Sequence, residues 1–379
     1  MVCGIAGIVA PQARQFQAEL SCMVDTLRHR GPDGPGTYFF DNCALGHTRL
    51  SIIDLLSGQQ PMFSPVSGAG IVFNGEIYGY KSLRVSLPDY PFQTTSDTEA
   101  ILALYDQYGP GLLSRLPGMF AFAIWDEAHQ RLLCARDRFG EKPFYYTWGR
   151  KGEFLFASEI KALLASGLVE PVLNRAALAH YMQYLHVHPY QTIYQNIYTL
   201  PPAHSLHYED GQLAVERYWS PPELQPKIEL DEAIEQFQVL FDRAVASQLV
   251  ADVTVGAFLS GGLDSSSIVV AASRHQARLK TFSFGFEDGI SELPFAKGVA
   301  DLYQTDHTEL ADNHVDIGEL LVTMQAVYDE PFADSSNIPT FLISRLARQY
   351  VKVVLTGDGG DELLAGYTFW YKPLIFMQK

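Results

Sequence analysis

The chain has 379 residues, of which 47% are hydrophobic, 12% aromatic and 18% charged, and its formal net charge is −16. That composition supports a sizeable core and excludes a disordered polypeptide. It also leaves no positive face of the kind a generic nucleic-acid binder needs.

At roughly 150 residues per domain, the length predicts two domains, or two and a piece. The four cysteines, Cys3, Cys22, Cys43 and Cys134, form no C-x-x-C pair and are too sparse for a disulfide framework. The first ten residues, MVCGIAGIVA, lack the basic region of a signal peptide. No apolar run reaches the roughly 18 residues of a membrane span, so a cytoplasmic protein is the expectation.

The first half reads as strand-rich. Cys3–Val9 is a short apolar run, and Gln15–Arg28 has helical spacing. Thr37–Phe40 and Ala44–Thr48 flank the turn at Asp41-Asn42-Cys43 as a hairpin. Gly70–Asn74 reads as a strand that ends at Gly75. Ser96 caps a helix through Tyr108, with Glu99 as its capping-box partner, and Gly109-Pro110 ends it. Met119–Trp125, Arg131–Ala135, Phe144–Trp148 and Phe154–Ala157 follow as strands. Met119–Trp125 is apolar throughout, so both of its faces should be buried, as in a layered α/β sandwich.

The proline-rich stretch Ser220–Pro226 is the candidate linker. Beyond it the pattern changes to strand-helix alternation: helix Asp231–Gln248, strand Val253–Leu259, and a helix from about Ser265. Then come strand Thr281–Phe286, helix Pro294–Leu302, strand His307–Leu310, helix Ile338–Gln349 and strand Val351–Leu355. Such alternation predicts βαβ units and a parallel sheet. Domains over residues 3–215 and 230–379 are the result.

The strongest motif of the second half is Leu259-Ser-Gly-Gly-Leu-Asp-Ser-Ser266, between a strand and a helix. Gly261 and Gly262 let the backbone approach an anion, Ser260, Ser265 and Ser266 offer hydroxyl donors, and the helix start adds N–H groups. The loop has no Lys of the G-x-x-x-x-G-K-[ST] kind, which suits a pyrophosphate that leaves more than a phosphoryl group that is transferred. Asp264 among phosphate ligands implies Mg²⁺ between them. A plain Gly/Ser turn with a capping Asp is the alternative, disfavoured by the strand-loop-helix context. A second cluster, Leu355-Thr-Gly-Asp-Gly-Gly-Asp-Glu362, also follows a strand; it offers Asp361 as a second Mg²⁺ ligand and Asp358 toward a reacting centre.

In the first half, Cys3 is a nucleophile whose own α-amine can serve as base if the residue is terminal. Arg49 can fork onto an α-carboxylate. Asn74 and Gly75 can form an oxyanion hole, and Glu76 and Asp97 can accept an α-ammonium. One Arg and two acids describe a pocket for a free amino acid, although Asp97 could equally be a helix cap.

Together these pieces resemble the glutamine-dependent asparagine synthetases. The resemblance runs through CGIAG (3–7), RHRGPDG (28–34), HTRLSIID (47–54), FNGEIY (73–78), TSDTE (95–99), GMFAFAIWD (118–126), RDRFGEKPFYY (136–146), FASEIKAL (156–163), LPPAH (200–204), FLSGGLDSS (258–266), EPFADSSNIPT (330–340) and TGDGGDE (356–362). It implies an N-terminal-nucleophile αββα sandwich followed by a parallel-sheet nucleotide α-hydrolase domain.

It implies Cys3 as nucleophile, with Arg49, Leu50, Ser51, Ile52, Ile53, Asn74, Gly75, Glu76 and Asp97 around glutamine. Around ATP it implies Leu259, Ser260, Gly261, Gly262, Asp264, Ser265, Ser266, Phe284, Thr356 and Gly357, with Asp264 and Asp361 on Mg²⁺. Asp358 looks like the group that deprotonates attacking ammonia, in a position where some relatives carry Glu. ATP would adenylate the aspartate β-carboxylate, pyrophosphate would leave, and ammonia from glutamine would cross an internal channel and displace AMP. A homodimer is a further family expectation.

Two departures accompany the resemblance. Val2 stands between Met1 and Cys3; a start at Val2, from a GTG codon read as initiator Met, would make Cys3 terminal, and the alternatives are a cloning remnant or an inactive glutaminase. The chain ends at Lys379, soon after TGDGGDE, whereas the family continues through further helices, a lysine at the acyl-adenylate and much of the aspartate pocket. The second domain is therefore expected to be incomplete. The competing readings are an amidotransferase or cyclase acting on another carboxylate, and a protein that retains glutaminase activity only.

Overall fold

The computed structural model describes residues 3–223, 228–285, 291–311, 317–368 and 371–372. The chain divides into two compact units, Met1–Leu224 with Val322–Asp334, and Gln225–Leu321 with Ser335–Lys379.

The first unit holds twelve strands: β1 (Gly4–Val9), β2 (Gly34–Phe39), β3 (Cys43–Arg49), β4 (Met62–Phe63), β5 (Gly70–Ile77), β6 (Gly118–Asp126), β7 (Arg131–Arg136), β8 (Tyr145–Trp148), β9 (Phe154–Ala157), β10 (Ile197–Thr199), β11 (His204–Glu209) and β12 (Gln212–Arg217). They form two six-stranded antiparallel sheets, ordered β10-β8-β9-β1-β3-β2 and β12-β11-β7-β6-β5-β4. The sheets face each other through Ile5, Leu45 and Phe156 on one side and Val72, Ala121, Ala123, Trp125 and Cys134 on the other.

The uninterrupted apolar run of β6 is explained by its alternation. Ala121, Ala123 and Trp125 point between the sheets, while Phe120, Phe122 and Ile124 point out against Ala100, Ile101 and Leu104 of the helix Asp97–Tyr108. On the far face, Ala6, Ile8 and Ala44 pack under Leu20, Met23 and Val24 of the helix Gln17–Thr26 and Ile160 and Leu163 of the helix Ile160–Ala165. The result is the expected four-layer αββα sandwich.

Two local readings change. Strand β5 does not stop at Gly75 but runs to Ile77. A Cβ at Gly75 would lie 2.1 Å from the Met119 carbonyl oxygen, so glycine there permits close strand approach rather than ending the strand. Ser96 does cap its helix, accepting the Thr98 N–H at 3.1 Å. Glu99, however, closes no capping box: its carboxylate takes the amides of Gln93 and Thr94 at 2.7 Å each. Strands β10 to β12 and the short helices Tyr80–Val85, Ile160–Ala165 and Arg175–Tyr184 had no clear sequence signal.

The second unit is a parallel sheet of β13 (Val255–Phe258), β14 (Lys280–Gly285), β15 (Asp306–Ala311) and β16 (Val353–Leu355), ordered β15-β14-β13-β16. One face is covered by Val269, Ala272, Ala296 and Ala300 from the helices Leu263–His275 and Leu293–Tyr303. The other carries Phe282, Leu310, Ala347 and Val351. Burial of both faces accounts for the apolar runs of the two central strands, VGAF in β13 and VVL in β16. The helix Ile317–Val327 was not anticipated, and its residues from Val322 onward belong to the first unit.

Residues 224–226 of the linker reading, Phe286 at the end of its strand, Val2, and most of the apolar tail after Thr368 lie outside the described residues. No helix among the described residues is long and apolar enough to cross a membrane.

Candidate functional site

In the first unit the site begins at the head of β1. Gly4 pairs with Thr48 of β3, which sets Cys3 beside the end of that strand. The Leu50 N–H donates to Cys3 Sγ at 3.3 Å, and the thiol in turn donates to the Leu50 carbonyl at 3.7 Å. Burial pushes the thiol up to about 11; the Leu50 hydrogen bond opposes this, while the negative charges of Glu76 and Asp97 add to it. Cys3 is therefore a neutral thiol at pH 7, and attack requires a base that removes its proton.

Arg49, at the last position of β3, is buried. Its guanidinium donates to three successive carbonyls, Ile53 at 3.3 Å, Leu55 at 3.4 Å and Asp54 between them. These partners are neutral dipoles, so the positive charge stays available to an incoming carboxylate. Ser51, Ile52 and Ile53 form the loop that carries these carbonyls; the Ser51 N–H donates to Asp33 at 2.7 Å, and Ile53 turns into the core.

Strand β5 delivers the next group. β4 pairs only with Gly70 and Ile71, so among the described residues one edge of β5 beyond them has no neighbouring strand. Alternation turns the N–H groups of Phe73, Gly75 and Ile77 toward that edge. The first is taken by Gln60 Oε1 at 2.6 Å and the third by Asp97 Oδ2 at 3.1 Å. The Gly75 N–H lies between them. Asn74 is fully buried, and neither amide atom of its side chain has a hydrogen-bond partner among the described residues. Such an orphaned amide is rare in a native interior, and it leaves both a donor and an acceptor open to an outside partner.

Glu76 and Asp97 complete the group. Burial first, then the neighbouring Asp97 charge, pushes Glu76 well above the usual carboxylate range, and Lys142 opposes that shift. Asp97 is raised to about 6 by burial, against hydrogen bonds from Ile77 and Thr98. Two acids held together this way gain from a cation.

Two residues that were quoted in motifs without a role also stand here. Arg30 donates through Nε to the Cys3 carbonyl at 3.0 Å and through Nη1 to Glu159 at 2.7 Å. Lys142 is buried close enough to Glu76 for each to shift the other. No pattern in the sequence separated them from ordinary surface cations.

In the second unit, the strand order places β13 and β16 side by side where the chain reverses its direction of winding, the position at which open α/β sheets bind ligands. Gly261 has φ +81, and a Cβ there would meet the Ala296 nitrogen at 2.6 Å, so only glycine fits. Ser260 Oγ and Ser265 Oγ lie 2.9 Å apart, the Gly262 N–H donates to Ser260 Oγ at 3.2 Å, and Ser266 Oγ is buried without a partner among the described residues.

The loop after β16 packs directly against this one. A Cβ on Gly357 would lie 2.9 Å from Asp264 Cβ and from the Ser265 nitrogen, and one on Gly360 would lie 2.8 Å from Asp264 Cγ. Thr356 donates to the exposed Asp358 at 2.8 Å. Leu259 is buried, with its N–H on the Phe282 carbonyl at 2.9 Å. Phe284 packs beside Phe282. Among the described residues no group of three His, Cys, Asp or Glu side chains is arranged to hold a metal on its own. A cation at Asp264 and Asp361 would thus need ligand oxygens as well, which is how Mg²⁺ is usually held beside phosphates.

A half-buried thiol beside a buried arginine and two coupled acids, followed in the same chain by a parallel sheet with a glycine-serine loop, fits the build of a glutamine amidotransferase. Residues 2–219 match the family described as Glutamine amidotransferase domain, and residues 236–379 match the family described as Asparagine synthase. A Methanocaldococcus jannaschii protein provisionally named asparagine synthetase (glutamine-hydrolysing) 2 is 36% identical over 97% of this chain and 76% of its own length. Asparagine synthetase (glutamine-hydrolysing) 1 of Bacillus subtilis is 35% identical over 98% of this chain and 60% of its own. Asparagine synthetase (glutamine-hydrolysing) 3 of Arabidopsis thaliana is 33% identical over 98% and 62%. The chain belongs to the glutamine-hydrolysing asparagine synthetase family, a family of ligases. It spans about three fifths of the length of the latter two relatives.

Proposed function

We propose that the first unit hydrolyses glutamine, and that the second activates the aspartate β-carboxylate with ATP for amidation to asparagine, releasing AMP and pyrophosphate. The observation that carries the reading is a half-buried thiol together with a buried amide at Asn74 that has no partner among the described residues, with one available cation and two coupled acids acting on the thiol. Arg49 would bind the α-carboxylate of glutamine, and Glu76 with Asp97 the α-ammonium. Leu50 to Ile53 would line the cradle around them.

Sγ of Cys3 would attack the side-chain carbonyl, its proton taken by the α-amine once Cys3 is the first residue. The Asn74 amide and the Gly75 N–H would hold the developing oxyanion. Collapse of the tetrahedral intermediate expels ammonia and leaves a thioester, which water then cleaves to glutamate.

In the second unit, Ser260, Gly261, Gly262, Ser265 and Ser266 would cradle the phosphates, with Leu259, Phe284, Thr356 and Gly357 around the rest of the nucleotide. The carboxylate of Asp264 against Gly357 and Gly360 fits a Mg²⁺ site shared with Asp361. When bound, Mg²⁺ would neutralise charge on the leaving pyrophosphate. Asp358 would take the proton from ammonia.

The test is to incubate the chain with glutamine, with and without aspartate and Mg-ATP, and to follow glutamate, AMP and asparagine together. All three are expected in the complete mixture. Glutamate alone would remove the synthetase part of the reading, and absence of glutamate from a chain beginning at Cys3 would remove the glutaminase part.

A further inference from the structure

We propose that Asp54 is the positioning residue that sets the spacing between the two ends of the amino-acid pocket, a role that rests on the glutaminase reading above. The loop that holds Arg49 bends because Asp54 adopts φ 50, a left-handed conformation that few residues other than glycine and Asn/Asp take readily. That bend turns the Ile53, Asp54 and Leu55 carbonyls onto one guanidinium.

The side chain of Asp54 then works in two directions. Oδ1 accepts the Ser57 N–H and hydroxyl, both at 2.8 Å, which closes the loop behind Arg49. Oδ2 accepts the Thr95 N–H at 2.7 Å. Thr95 immediately precedes the cap residue Ser96 and Asp97, the first residue of the helix Asp97–Tyr108. One buried carboxylate therefore bridges the carboxylate-binding arginine and the ammonium-binding acid, from positions 41 residues apart in sequence. Asp54 touches no reacting atom. The hydrogen bonds hold its carboxyl down at about 2 despite burial, so the bridge persists through the working pH range.

This predicts a binding defect without a chemical one. Asp54→Ala, which loses both the bridge and the tolerance for the bend, is expected to raise KM for glutamine on the order of 100-fold with kcat within about 3-fold. Asp54→Asn keeps the bend and one acceptor oxygen, and is expected to fall between, near 10-fold. Each variant is also inactivated with 6-diazo-5-oxo-L-norleucine, which carries the α-amino and α-carboxylate groups, and with iodoacetamide, which carries neither. The first reagent should slow by the same factor as KM rises, while the second should keep its wild-type rate at Cys3.

Wild-type KM in both variants, or equal slowing by both reagents, would overturn the role of Asp54. If Asp54→Ala does not fold, Asp54→Asn alone decides. A wild-type chain starting at Cys3 that neither hydrolyses glutamine nor reacts with the diazo analogue would overturn the glutaminase reading and this proposal with it.

Discussion

The two units hold their candidate sites in opposite ways. In the first, the groups are buried or half-buried and cross-linked: the arginine is caged by carbonyls, Asp97 sits at a capped helix start beside Glu76 of β5, and the thiol is hydrogen-bonded to Leu50. In the second, the loop Ser260–Ser266 is largely exposed or half-buried, and its hydroxyls bond one another and the loop backbone. On the reading proposed above, the first site must hold the uncharged side-chain amide of a zwitterionic amino acid in place, and it leaves one amide, Asn74, unpaired for it among the described residues. A polyphosphate brings enough charge to reorganise a loop whose hydroxyls are held only by weak neutral bonds. The difference teaches that preorganisation is concentrated where the ligand offers the least binding energy of its own.

The sharpest way to break this comparison is to remove the nucleophile. Cys3→Ala is expected to reduce glutamate release by at least about 10⁴-fold. Binding of a non-hydrolysable Mg-ATP analogue, followed by calorimetry, should be unchanged. A fall in nucleotide binding would mean that the two sites are not independently built.

Asn74→Ala comes next. If the orphaned amide is an oxyanion donor, kcat for glutamine hydrolysis should fall about 10²- to 10³-fold, with KM changed less than about 3-fold. A rise in KM at constant kcat would make Asn74 a ground-state contact instead.

Asp264→Asn tests the other unit. Loss of one magnesium ligand should weaken Mg-ATP binding on the order of 100-fold and leave glutamine hydrolysis unaffected. Nucleotide binding that survives the change would remove Asp264 from the phosphate site.

The sequence made the two units unequally legible. Periodicity found β6 because a strand buried on both faces has no polar position to confuse it. The loop after β13 was readable because its glycines and serines are consecutive. The pocket of the first unit was readable residue by residue, but its connections were not. Gly75 looked like a strand end, since nothing local reveals that Met119 lies against it. Glu99 looked like a capping partner, yet tertiary context gave it the Gln93 and Thr94 amides. Arg30 and Asp54 act through partners far away in sequence, Glu159 and Thr95, and such pairings leave no trace in spacing. Val322–Asp334 follows the glycine-serine loop by some sixty residues yet belongs to the first unit, a return of the chain that no composition change announces.

The smallest expected effect is the most discriminating about preorganisation. Burial pushes the Asp97 carboxyl up to about 6 in the folded protein, above the ordinary carboxylate range. A carboxyl raised on folding stabilises the protein below its unfolded value and loses that contribution as pH rises through 6. At pH 7 the ionised, buried Asp97 therefore works against the fold. Asp97→Asn should be more stable than wild type at pH 7 by an amount on the order of 1–3 kcal/mol, with the difference vanishing toward pH 4 in denaturant titrations. The same ionisation should serve binding. In wild type, kcat/KM for glutamine should decline below pH 6, approaching about tenfold per pH unit, because protonation removes a partner of the α-ammonium. The variant should gain stability and lose that pH dependence together with glutamine affinity. Stability gained without loss of affinity would mean that Glu76 alone holds the ammonium, and that Asp97 is buried to cap its helix.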